Sequence, residues 1–376
     1  MHAQTVLRNA RLASGLVLMA FVAGHLSNLT LGMHSLAAME SWRPVLMGPW
    51  RSGIGLSLLV GAALAHMSLG LYAIGTRRSL AMSRTDVVQL ILGLLTPPLL
   101  LNHAVVMHMA GEVSPGFDST FGQMLAVYWS FSPRYAFQQI CVVMVVWAHA
   151  AVGLYSWLVL KPVWRRIGGL VLPVLFAIPI LALLGFAEAG KEVLDKLAGE
   201  PAWRARIIDN LTKVTQVTGK LDALQAWILL AYGVLVLAAF GIFAWRALRD
   251  RLIPVQVAYD GGLSAQARRG LSILEISRLN DIPHAHVCSG RARCGTCRVR
   301  VESGAARLSP MIEAERKTLA RVAAGANDRL ACQARVLGGS VEVTRLLPAF
   351  ADASAARSPE DWSANVAPSP ARQGTA

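Results

Sequence analysis

Charge is scarce in this chain and missing altogether from six long stretches of it. Only 15% of the 376 residues are Asp, Glu, Lys or Arg, against 54% hydrophobic, and the mean hydropathy is +0.47. That usage excludes a purely water-soluble fold. The charge-free runs cover residues 12–33, 52–76, 87–111, 135–160, 167–187 and 223–245. Each is long enough to cross a hydrocarbon layer of about 30 Å as a helix. The first run lacks a small-residue cleavage site and is too long for a signal-peptide core, so it reads as a retained span. Cysteine is sparse too, and its five copies do not make a scattered disulfide framework. Cys141 stands alone in the fourth run as a small buried residue, while Cys288, Cys294, Cys297 and Cys332 gather in the C-terminal region.

Lys and Arg fall unevenly outside these runs. Arg8 and Arg11 precede the first, Arg77, Arg78 and Arg84 separate the second from the third, Lys161, Arg165 and Arg166 the fourth from the fifth, and Arg246, Arg249 and Arg251 follow the sixth. The opposite loops carry Arg43 and Arg51, nothing basic between 112 and 133, and a mixed-charge stretch over 188–222. This bias predicts a multi-pass membrane protein with both termini in the cytoplasm. It also accounts, with the Arg-rich region beyond residue 245, for most of the net charge of +14. The partner that charge implies is anionic membrane lipid, not nucleic acid.

Beyond Arg251 leucine-rich helix gives way to short strands and turns. Periodicity predicts strands at 253–259, 296–304 and 338–346, helices at 270–282 and 313–323, and a turn at Asp260-Gly261-Gly262. The chain thus divides into an all-α hexahelical transmembrane bundle (1–250), a small α+β domain (251–347), and a segment rich in Ala, Ser and Pro (348–376) that reads as a flexible tail or linker.

Cys288, Cys294 and Cys297 are spaced by five and then two residues, and Cys332 follows after 34 more. Three thiolates within one loop closed by a distant fourth make the ligand set of a 2Fe-2S cluster. Zinc is the alternative, but a zinc ribbon pairs two Cys-x-x-Cys knuckles, and Cys332 has no partner beside it. Ser289, Gly290, Ala292, Gly295 and Thr296 suit a loop whose N–H groups point at bridging sulfides. Residues 253–347 resemble a 2Fe-2S ferredoxin of the adrenodoxin-like and bacterial type, and the resemblance implies a β-grasp fold. His284 and His286 precede the first ligand; with four cysteines present they read as surface or outer-sphere residues.

His25, His66, His103 and His149 lie deep in the first four runs, where an ionisable group is expensive and a functional role is the default. Counted at about 1.5 Å per residue, His25 and His103 stand about 20 and 24 Å from the inner ends of their helices, and His66 and His149 about 15 and 16 Å. Two antiparallel pairs at matched depth are what two b-type hemes need for axial ligands. The inner pair sits in a repeat, His-x-x-x-Gly-Leu-Tyr, at 66–72 and 149–155. Gly70 and Gly153 would let a flat macrocycle lie against the helix, and Tyr72 and Tyr155 sit at interfacial depth within reach of a propionate. These features, with Gln89, Gly93 and His103 in QLILGLLTPPLLLNH, resemble the single-subunit diheme cytochrome b anchor of succinate dehydrogenases and fumarate reductases. That resemblance implies heme b between His25 and His103, a second between His66 and His149, and a quinone site near one of them. His108 rivals His103, and Pro97 and Pro98 are expected to kink the third helix between Gln89 and His103. His34 and His108 are candidates for a quinone pocket or for the membrane interface.

Bundle and ferredoxin together resemble the membrane and redox portion of bacterial class III adenylate cyclases of this architecture, which implies a homodimer and a cyclase domain after the linker. Beyond Leu347 no strand-helix pattern follows, so the chain reads as a truncated or stand-alone redox module. Two functions are carried forward: a sensor of quinone redox state that regulates a C-terminal adenylate cyclase, and a quinol-linked electron-transfer oxidoreductase.

Overall fold

The computed structural model describes residues 2–351 apart from Ala81, Pro115 and Pro162, so most of the segment assigned as a tail (348–376) lies outside the described residues. The N-terminal region runs through α1 (His2–Thr30), α2 (Leu36–Leu46), α3 (Gly48–Arg51), α4 (Gly53–Thr76), α5 (Arg84–Val113), α6 (Phe121–Ala126), α7 (Arg134–Leu158), α8 (Trp164–Gly199), α9 (Pro201–Thr215) and α10 (Thr218–Asp250). Six of these, α1, α4, α5, α7, α8 and α10, are long and apolar enough to cross a membrane. The six charge-free runs fall within them to within three residues at their ends.

Helix starts follow capping chemistry. Ser35, Ser52, Ser83 and Thr120 each accept a hydrogen bond from an N–H of the first turn of α2, α4, α5 and α6. Two boundaries differ from the hydropathy reading. Helix α1 begins at His2, so Arg8 and Arg11 lie within it. Helix α8 continues past residue 187 to Gly199, because Ala189, Gly190, Val193 and Leu197 keep an apolar face buried at helical spacing while Lys191 and Asp195 are exposed. The stretch 188–222 is therefore helical rather than an open connection.

Helix α1 packs on α4 and α8, α5 on α7, and α10 on α4 and α5. A Cβ at Gly32 would strike the Gly185 carbonyl, and one at Gly185 would strike the Leu29 carbonyl, so α1 and α8 meet backbone to backbone there. Helix α5 runs unbroken through Pro97 and Pro98. Pro98 has no N–H for the carbonyl of Leu94, and the Tyr232 hydroxyl of α10 donates to that oxygen at 2.8 Å.

The C-terminal domain comprises β1 (Pro254–Tyr259), β2 (Ser264–Arg268), α11 (Ile273–Leu279), β3 (Arg298–Ser303), α12 (Glu313–Arg321), β4 (Asp328–Leu330) and β5 (Gly339–Arg345). The sheet order is β2-β1-β5-β3-β4, parallel only between β1 and β5. A capping box between Ser272 and Glu275 starts α11, which buries Ile273, Leu274 and Ile276 with Val257, Val299, Val341 and Val343 of the sheet. Glu315, fully buried at the start of α12, accepts two hydrogen bonds from Arg329 at 2.8 and 3.1 Å and a third from Leu330 N at 2.9 Å. That carboxylate ties α12 to the segment leading to Cys332.

Candidate cofactor sites

The four thiols come from two places. Cys288, Cys294 and Cys297 lie on the loop between α11 and β3, and Cys332 follows β4; all four are buried. Ser289, Gly290, Ala292 and Gly295 have φ of 51°, 84°, 52° and 77°. Repeated left-handed residues curl a loop so that its N–H groups turn inward, at a cost of roughly 1–2 kcal/mol at each non-glycine position. Hydrogen bonds aim at the sulfurs: Thr296 N donates to Cys294 Sγ at 3.5 Å, and Gln333 Nε2 to Cys332 Sγ at 3.3 Å.

The thiols group two and two. Cys288 is pulled down to about 5, first by the hydrogen bond from the Cys294 thiol and then by N–H groups of the loop, while Cys294 is pushed up by the same contact. Cys297 is pushed up by its hydrogen bond with Cys332 and by burial. Among the described residues no three His, Cys, Asp or Glu side chains converge as donors to a single ion. A tetrahedral zinc site needs such convergence, whereas a 2Fe-2S cluster gives each iron two thiolates. The residues present fit the cluster. His284 is not at the surface: it is buried, its Nδ1 lies 3.0 Å from Ser277 Oγ, and burial pushes it down to about 4. His286 Nδ1 faces the carbonyl of His284 at 2.7 Å.

In the bundle, the rings of His25 (α1) and His103 (α5) face each other with centroids 6.0 Å apart, and those of His66 (α4) and His149 (α7) at 6.1 Å. His108 is exposed and so is His34; the ring opposite His25 is that of His103. His66 Nδ1 lies 3.1 Å from the carbonyl of Arg11, and His149 Nδ1 3.2 Å from that of Gln89. A carbonyl accepts, so each Nδ1 carries the proton and each Nε2 is left as an acceptor, that of His149 lying 3.4 Å from Gln89 Nε2. His103 Nδ1 lies 3.2 Å from the Tyr128 hydroxyl, and His25 Nδ1 is buried without a hydrogen-bond partner among the described residues.

Two glycines that hydropathy could not assign to a partner crowd the inner rings. A Cβ at Gly15 of α1 would lie 2.9 Å from His66 Cε1, and one at Gly93 of α5 would lie 2.9 Å from His149 Cε1. The repeat's own Gly70 faces open space, and Gly153 faces Gln89 Nε2 at 3.2 Å. Tyr72 and Tyr155 are exposed, with Tyr155 edge-on to Trp164.

The thiol loop touches the bundle. Arg291 Nη2 donates to Asp86 Oδ1 at 2.8 Å, Ser289 Oγ to Ser83 Oγ at 3.1 Å, and Leu160 packs on Cys288 and Cys294. Ser83 and Asp86 form the cap of α5, one helical turn before Gln89.

The model of the family described as 2Fe-2S iron-sulfur cluster binding domain matches residues 259–337. Chlorosome protein I of Chlorobaculum tepidum is 33% identical over 81 residues, 21% of this chain and 33% of that protein, so the chain spans about a third of the length of this curated relative. Among solved structures, the ISC-like 2Fe-2S ferredoxin of Pseudomonas putida is 25% identical, with 26% of this chain and 94% of that one covered and a TM-score of 0.23. Together with the two-and-two thiols, the family match makes the C-terminal part of this chain a 2Fe-2S ferredoxin-type electron-transfer domain, carried behind six long apolar helices.

Proposed function

We propose that this chain is a membrane redox module. Its bundle holds two b hemes, one between His25 and His103 and one between His66 and His149, and exchanges electrons with the quinone pool. Cys288, Cys294, Cys297 and Cys332 hold the 2Fe-2S cluster on the cytoplasmic side, and the module reports quinone redox state to a C-terminal effector, which the resemblance in sequence identifies as an adenylate cyclase. When bound, the hemes and the cluster supply reversible one-electron chemistry.

The observation that carries this reading is the geometry of the imidazole pairs. Two imidazoles sharing one metal at nitrogen–metal distances of about 2.0–2.1 Å need ring centroids about 6 Å apart, and both pairs stand at 6.0–6.1 Å. Arg11 O and Gln89 O orient the inner rings so that Nε2, not Nδ1, carries the lone pair a metal would take. Gly15 and Gly93 keep those rings clear of side chains. The ferredoxin loop meets α5 at Ser83 and Asp86, about 4.5 Å along the helix from Gln89. Histidines that only bridged helices would need no such common spacing.

The second reading, a quinol-linked oxidoreductase, is favoured by the ferredoxin-type domain itself. Purified protein with heme, iron and sulfide quantified should give two hemes and one cluster per chain, and anaerobic titration with a quinol should change both the optical and the EPR spectra. Failure of either center to respond refutes the module. Sustained turnover with quinol and a soluble acceptor would decide for the oxidoreductase, and a redox-dependent change in an attached cyclase for the sensor.

A further inference from the structure

We propose that the arginines gathered where the thiol loop meets the bundle form a redox-sensitive latch, in which Arg8, Arg11, Arg77, Arg291 and Arg293 share the negative charge of the thiolate-bound cluster as their counter-ion. The ferredoxin domain then seats more firmly on the bundle when the cluster is reduced. This rests on the reading that the four cysteines hold a 2Fe-2S cluster.

The seat is built from specific contacts. Arg291 and Asp86 pair at 2.8 Å with side chains only 32% and 12% exposed, Ser289 bonds Ser83, and Leu160 covers the Cys288–Cys294 side of the loop. The charges around it do not balance. Arg11 faces Arg77 and Arg291; Arg293 faces Arg8, Arg11 and Arg291; Arg278 of α11 faces Arg77. The carboxylates in reach are Asp86 and Glu275, and Glu275 is already engaged by Ser272 and Arg335. Six arginines on two carboxylates repel one another by about 1 kcal/mol per close pair in water and by more where solvent is shut out. An anion among them relieves that repulsion, and the Cys288 thiol lies within electrostatic reach of Arg293, on the loop whose Arg291 pairs with Asp86.

Four thiolates around two irons leave this site net negative, and one electron taken from a reductant adds one further negative charge without making or breaking a bond or moving a proton. The arginines therefore hold the loop harder in the reduced state. Coupling is reciprocal, so seating must also raise the reduction potential of the site. Because the Cys288–Cys294 side is turned to Leu160 and α5, a soluble partner meets the domain on another face.

The test is hydrogen exchange on the full chain in a neutral detergent without anionic lipid, oxidised against dithionite-reduced, read on peptides covering 83–90 and 286–293. Reduction should slow exchange several-fold in both. The Arg8→Gln/Arg11→Gln double variant should lose that difference and show a lower midpoint potential for the cluster EPR signal. Arg77→Gln should lower the midpoint as well, and Arg134→Gln, far from the seat, should not. Equal exchange in both states with the cluster loaded, or unchanged midpoints in the arginine variants, overturns the latch. Protection that appears only on adding anionic lipid overturns it too, making a headgroup phosphate the counter-ion. Iron and sulfide measured on each sample separate these results from failure of the cluster assignment, which would show as a parent protein without iron.

Discussion

Gly93→Ala should strip the inner heme site while leaving the fold intact. The added Cβ would lie 2.9 Å from His149 Cε1 and 3.3 Å from Nδ1, where relaxed carbon contacts need about 3.5–4.0 Å. The ring must therefore retreat by about 0.6–1 Å. It cannot do so and keep its hydrogen bond, because Nδ1 is already 3.2 Å from the Gln89 carbonyl and such bonds fade beyond about 3.5 Å. Loss of an orienting partner of this kind costs about 10–100-fold in metal affinity, or about 1.4–2.7 kcal/mol. Alanine in a helix is otherwise favoured over glycine by roughly 0.5–1 kcal/mol, so any loss of heme runs against the intrinsic preference. The assay is heme per chain after purification under limiting heme, with the reduced-minus-oxidised spectrum. Heme content should fall from two toward one. Gly15→Ala should act alike through His66, and Gly61→Ala, whose Cβ meets nothing within 4 Å, should change neither quantity. Gly93→Ala protein with full heme and an unaltered spectrum would refute the reasoning.

The rival ligands separate by the same assay: His103→Ala should lose one heme and His108→Ala should keep both, and the reverse would move the outer site to His108. In the ferredoxin domain, Glu315→Ala leaves the largely covered Arg329 without its carboxylate and the Leu330 N–H without its acceptor, a loss of about 3 kcal/mol, read as a lower unfolding temperature and reduced iron retention; a change under 1 kcal/mol would show that the pair is dispensable. Asp260 is held below the usual carboxylate range chiefly by the hydrogen bond from Arg345. A depressed acid stabilises above its unfolded value of about 3.9 and loses that contribution as pH falls through the folded value. The domain should therefore lose stability on acidification below about pH 4, less steeply in Asp260→Asn, with a total effect of about 1 kcal/mol or less because solvent reaches the pair. An identical acid profile in the variant would remove Asp260 from the account.

Much of this architecture was legible because lipid imposes a coarse code. A charge-free run of twenty or more residues has few outcomes other than a spanning helix, and all six runs lie in such helices to within three residues at their ends. Their ends were less legible. Helix α8 overshoots its run by 12 residues because amphipathic spacing, not hydropathy, decides where it stops. In the second domain the β-branched strands were readable, while β2 (SAQAR) and β4 (DRL) were not, being short and nearly free of strand-forming residues. Local spacing also made the cysteine set readable. The glycines beside the inner rings were not readable as such, since which glycine of α1 meets His66, or of α5 meets His149, is a matter of helix register. Gln89 illustrates the limit: nothing in its spacing announces that its carbonyl orients His149.

The two imidazole pairs are oriented by different means, and the difference follows from where they sit. His66 and His149 both point Nδ1 at backbone carbonyls of a neighbouring helix, with Ser14 Oγ 3.3 Å from His66 Nδ1 and Gln89 Nε2 3.4 Å from His149 Nε2. Such acceptors are within reach only where two helices run close, which is what Gly15 and Gly93 allow. The outer pair has one side-chain partner, the Tyr128 hydroxyl on His103, and none on His25. The inner rings are therefore held in register by main chain at both ends, and the same two helices, α1 and α5, carry Arg11 and Asp86 to the ferredoxin loop. The loop thus docks on the end of α5 that also carries Gln89, so the seat of the second domain and the orientation of the His149 ring share one helix end.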